Sequence, residues 1–101
     1  MKPVGLYMFV EPSVDPAQHR AEIETPKLKM MFQGVRSIEE GASMAKQFVA
    51  EGVSLIELCG AFGFAGAKAV SEAVGDRASV SATLSQVLDA PKLAKILEIW
   101  A

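Results

Sequence analysis

The sequence predicts an α/β domain: a small four-stranded parallel sheet with flanking helices. Short, continuous apolar runs such as VGLYMFV and VSLIEL suit strands buried on both faces. Between them lie segments with helical apolar spacing and recognisable caps. Connections long enough to hold a helix imply parallel pairing through right-handed crossovers. The predicted strand order is 2-1-3-4, and a sequential half-barrel, 1-2-3-4, is the alternative.

Strand one is Val4 to Val10, ended by the Glu11-Pro12-Ser13 turn signal. Asp15 as N-cap, Pro16 at the first helical position and Gln18 three residues after the cap then predict a short helix from about Pro16 to Glu24. The residue before Pro26 is pushed out of helical geometry and closes it. Lys27 to Val35 reads as strand two, and its lysine and glutamine interruptions suggest an edge position with a partly wet face. Ser37 and Glu40 form a capping box for a second helix, in which Ile38, Ala42, Ala45, Phe48 and Val49 share one face and Gly52 is the stop. Val53 to Leu58 is strand three. Phe64 to Val74 is helix three, closed by Gly75, and Ala78 to Thr83 is a weaker strand four. Last, Asp89 caps an amphipathic helix with Leu93, Ile96, Leu97 and Trp100 on one stripe.

With 101 residues there is room for one core, and a chain of this size buries roughly 65% of its unfolded surface. A hydrophobic content of 50% argues against disorder. Ten basic against twelve acidic residues give a net charge of −2, with no basic cluster of the kind that binds nucleic acid. The lone Lys2 and the short apolar run after it do not make a signal peptide, and no stretch is long enough to span a membrane. A soluble cytoplasmic protein is the expectation. One cysteine and one histidine supply neither a disulfide nor a four-ligand zinc site, so no metal and no cofactor are expected.

The segments DPAQHRAEIETP and EEGASMAKQFVAEGVSLIELCGAFG, with GVSLIELCGAFG as the most specific part, resemble an uncharacterised family of small prokaryotic α/β proteins, a domain of unknown function. The resemblance covers roughly Leu6 to Val80. It implies the fold and the importance of the glycine loop but no chemistry, and the tail from Ser85 to Ala101 departs from the family pattern.

In open parallel sheets, ligands bind beyond the carboxyl ends of the strands where the strand order reverses. With order 2-1-3-4 the loops concerned are Glu11 to Asp15 and Cys59 to Gly66. Gly60, Gly63 and Gly66 either bare backbone N–H groups for an anion or permit a tight turn and close packing. The spacing is G-x-x-G-x-x-G, not a nucleotide fingerprint. Glu57 near the strand end is a candidate general base or ligand anchor, or else an ion-pair partner of Arg36 or Arg20. Cys59 is a candidate nucleophile if His19 stands beside it, and otherwise a small buried hydrophobe. His19 and Arg20 reach over the crevice or form a solvated helix face, and Arg36 and Arg20 are the candidate anion-binding cations. Phe62 and Phe64 stack on a ligand, or tuck into the core or a subunit interface. The sequence therefore predicts a protein that binds a small anionic metabolite at the loop, with an oligomeric structural or regulatory module lacking a ligand as the alternative. A homo-oligomer is expected, through the Trp100 helix and the Met30-Met31-Phe32 run, because a parallel sheet is seldom left bare.

Overall fold

A computed structural model describes residues 2–101. Strands β1 (Val4–Val10), β2 (Arg20–Glu24) and β3 (Lys29–Val35) precede helix α1 (Ile38–Ala50). Strand β4 (Leu55–Leu58), helix α2 (Gly63–Val74), strand β5 (Ser79–Ala82) and helix α3 (Ala90–Trp100) follow. The sheet is five-stranded, in the order β2-β3-β1-β4-β5. Strand β2 is antiparallel to β3, and every other pair is parallel.

The four-stranded, all-parallel sheet predicted from the sequence is thus corrected to a mixed one, and neither the edge position of the Lys27 to Val35 strand nor the half-barrel order is adopted. The cause lies in residues Pro16 to Glu24, which form a turn and a strand instead of a helix. The Ala17 N–H donates to the Asp15 carboxylate (3.0 Å), while the Asp15 N–H donates to His19 Nδ1 (2.8 Å) and the His19 N–H to the Asp15 carbonyl (2.8 Å). These local bonds spend the cap on a closed turn, which offers the backbone an alternative to a helix. Arg20-Ala-Glu-Ile-Glu then alternates polar and apolar, a strand period, and pairs from Arg20 opposite Gln33 to Glu24 opposite Lys29. Thr25 shapes the hairpin: its hydroxyl oxygen accepts from the Leu28 N–H (3.0 Å). Gln33, one of the polar interruptions in β3, is buried and donates through Nε2 to the Pro16 carbonyl (2.9 Å), tying the turn to the sheet.

Helix α1 begins at Ser37, whose hydroxyl oxygen accepts from the Glu40 N–H (3.1 Å). It ends at Gly52 with φ +113°, where the Val53 N–H donates to the Phe48 carbonyl (3.0 Å). Successive crossovers β3-α1-β4 and β4-α2-β5 move the same way across the sheet, so right-handedness puts both helices on one face. There Leu6, Met8, Val35, Ile56 and Leu58 meet Phe48, Phe62, Val70 and Val74 to form the core. A helix between β1 and β3 would have covered the other face. The antiparallel β2 takes its place, and that face keeps Tyr7, Phe9, Met30 and Phe32 only half-buried.

Helix α3 packs on the short turn before it (Val87–Asp89), and its apolar stripe is incompletely covered, with Trp100 79% exposed. The radius of gyration, 14.2 Å, accordingly exceeds the value of about 13 Å typical of 100 residues.

Candidate functional site

Three parallel strands end side by side, and their last backbone bonds set the floor of a crevice. The Cys59 N–H donates to the Met8 carbonyl (2.9 Å), and the Thr83 N–H to that of Leu58 (2.9 Å). Beyond these bonds the chains part, leaving a cavity of about 760 Å³ between the strand ends and α3. This lies within the 300–1,000 Å³ or so usual for small-molecule sites. Leu93, Leu97 and Trp100 of α3 line it, together with Phe9, Val10 and Leu84 from the strand ends. The polar lining comes from the strand-end loops: Glu11, the half-buried Cys59, Gly60 and Ala61, and Thr83 and Ser85. The Glu11 carboxylate is already engaged, accepting from the Ser13 hydroxyl and from the Ser13 N–H (3.1 Å).

The three loop glycines have separate duties. Gly60 opens a 3-10 turn, Gly60–Phe62, and stands in the crevice wall with Ala61. Gly63 has φ +63° and ψ −174°, a region that essentially only glycine occupies, and reverses the chain into α2. Gly66 lets the helix approach the Phe62 ring, whose Cβ would stand 3.0 Å from an added methyl group. Phe62 itself is 2% exposed and belongs to the core, whereas Phe64 is 77% exposed. Gly63 and Phe62 therefore lie outside the crevice lining.

Few of the other candidates converge. Glu57 is exposed on the open face of the sheet, between Tyr7 and Ser81, not desolvated at the strand end. His19 closes the turn before β2, and Arg20 lies in β2, paired with Glu22 (3.6 Å). Strand β2 is three positions from β4, roughly 14 Å at the usual strand spacing, so neither residue is brought to Cys59. Arg36 is committed to α1: its backbone N–H donates to the Glu40 carboxylate (2.8 Å), which its guanidinium also clasps. That contact holds the Glu40 carboxyl below its ordinary value and raises Arg36. None of the three arginine and histidine candidates lines the crevice.

Sequence reasoning missed Tyr7 and the crevice role of the tail. Tyr7 packs against Phe32 with ring centroids 6.3 Å apart and sits beside Glu57 across the β1–β4 pairing. Burial raises its phenol, and the electrostatic influence of the neighbouring Cys59 and Glu57 adds to the effect. The alternation Gly5, Tyr7, Phe9 marks a second face of β1, but the register that sets Tyr7 against Glu57 is not written in either strand alone. Leu93, Leu97 and Trp100 were legible as an apolar stripe, without an indication that they wall a cavity. Among the described residues, no group of three or more His, Cys, Asp or Glu could hold a metal ion, and no helix is long and apolar enough to cross a membrane.

Residues 5–98 match a family of unknown function, DUF6506, and the chain belongs to that family. The match extends through most of α3, which corrects the expectation that the tail departs from the family pattern. No curated protein and no solved structure matches the chain.

Proposed function

We propose that this member of a family without an assigned activity binds a small carboxylate with an apolar body in the crevice at the ends of β1, β4 and β5. The observation that carries the reading is the make-up of the lining: α3 contributes only apolar side chains, and the polar groups come from the strand-end loops, among them the backbone of a helical turn. The first N–H groups of such a turn have no partner within it, and Gly60 has no side chain to shield them. A carboxylate set there accepts hydrogen bonds while its hydrocarbon part lies against Leu93, Leu97 and Trp100. Glu11, whose carboxylate is held by Ser13, also lines the crevice, and because like charges repel it opposes a singly charged head less than a doubly charged one such as phosphate. A Cys–His nucleophile pair plays no part in the reading, since His19 closes the turn before β2, away from Cys59.

Thermal denaturation with a matched series tests it. Octanoate is expected to raise the melting temperature, octanol less so, and inorganic phosphate not at all. At a hundred times its dissociation constant a ligand adds about 2.7 kcal/mol, a shift on the order of 10 °C in a domain of this size. Leu97→Asp, at a partly exposed position the fold tolerates, should remove the response. Glu57→Gln should leave it intact, since Glu57 is not in the lining. No shift across the series, or an undiminished shift in folded Leu97→Asp, contradicts the proposal.

A further inference from the structure

Of the helices α1, α2 and α3, only α3 has no buried residue. Leu93, Leu97 and Trp100, its three residues in the crevice lining, are 38%, 53% and 79% exposed, because a cavity of about 760 Å³ lies between them and the strand ends. The last hydrogen bond that anchors the tail runs from the Thr83 N–H to the Leu58 carbonyl (2.9 Å). Among the described residues, no hydrogen bond or ion pair joins residues 84–101 to the rest of the chain. Thr83 to Gln86 have no regular structure. After them the Asp89 N–H donates to the Gln86 carbonyl (3.0 Å), so the turn Val87–Asp89 runs on into α3 as one piece.

We infer that α3 is a lid on the crevice, releasing and re-docking as a unit about a hinge at Thr83–Gln86, and that a ligand's apolar body holds it shut. Hinges of this kind are a few residues at the end of an element that absorb the backbone change. Only apolar contacts dock the helix, so release breaks no hydrogen bond to the body. Those contacts are incomplete, which sets α3 at the low end of local stability, where lids are found. At 11 residues α3 is also too short to be a stable helix by itself in water, so its backbone bonds persist only while it is docked. Hydrocarbon in the cavity supplies the contacts that Leu93, Leu97 and Trp100 lack and removes their surface from water. A ligand that binds the docked form better shifts the population towards it. Release is a property of the free chain, whereas closure on a ligand rests on the carboxylate reading above.

Amide hydrogen exchange of the full chain, free and with octanoate, is the test, together with Gln86→Pro. In the free chain the α3 amides are expected to exchange about a hundredfold or more faster than those of Ala45 to Val49 in α1. Octanoate at about ten times its dissociation constant should slow the α3 amides about tenfold, since release then requires loss of the ligand. Gln86 has φ −72°, and its N–H donates no hydrogen bond within the chain, so proline fits there. By narrowing the released ensemble, Gln86→Pro should slow α3 exchange in the free chain about two- to fivefold. Exchange in α3 as slow as in α1 without ligand makes α3 a fixed wall and overturns the lid. A melting temperature raised by octanoate with α3 exchange unchanged keeps the binding reading and overturns closure. Absence of any melting shift removes the binding reading, and the lid is then decided by the free chain: unchanged α3 exchange in folded Gln86→Pro overturns the hinge.

Discussion

Gly60 and Gly63 are three residues apart, yet opposite outcomes are expected on substituting them. An alanine methyl at Gly60 meets only the Thr83 carbonyl at 3.6 Å, an ordinary contact, so Gly60→Ala should change stability by no more than about 0.5 kcal/mol. At Gly63 the surroundings are open, but φ is +63° with ψ −174°, and Gly63→Ala should cost about 1–3 kcal/mol. Denaturant titration of the two variants checks this pair. Substitution at Gly63 is consequently a poor probe of ligand binding, because it disturbs the backbone whether or not a ligand is present. Glu40 offers a pH-dependent prediction. Arg36 holds its folded pKa below the ordinary 4.5, so its contribution is complete above that value and is lost as pH falls through the lower folded one. The wild-type chain should therefore exceed Glu40→Gln in melting temperature at neutral pH. That difference should vanish in acid, and a difference that grows on acidification would contradict the pairing.

At the level of elements, legibility followed how much each segment decides locally. Helix α1 could be read directly, since Ser37, the spacing of Ala45, Phe48 and Val49, and Gly52 all act within one helix. Strand β1 could also be read, since Leu6 and Met8 are buried and Tyr7 and Phe9 are apolar on the other side. Strand β2 was misread: Asp15, Pro16 and Gln18 are good helix-start residues, whereas the alternation of Arg20 to Glu24 is only five residues long and takes its pairing from β3. Of the candidate site, the position at the strand ends was legible from alternating strands and helices, whereas the crevice wall depends on where α3 comes to rest. Because α3 adds little to the core, deleting residues 85–101 should leave the sheet and α1–α2 folded, with a melting temperature within a few degrees of the full chain, yet abolish the response to octanoate. Loss of folding in that truncation would show that the tail supports the core.

The whole molecule owes its two unusual surfaces to one topological choice. Placing an antiparallel strand where a crossover helix was expected sends both remaining helices to one side, exposes an apolar sheet face, and leaves α3 to roof the strand ends. The chain carries one tryptophan, Trp100, and it stands in the crevice wall while 79% exposed. Its fluorescence therefore reports on the crevice alone. Titration with octanoate should shift the Trp100 emission to the blue and saturate, as hydrocarbon replaces water around the indole, and the shift should be absent in Leu97→Asp. An emission spectrum that stays unchanged through the titration, or that shifts equally in folded Leu97→Asp, would contradict the binding site.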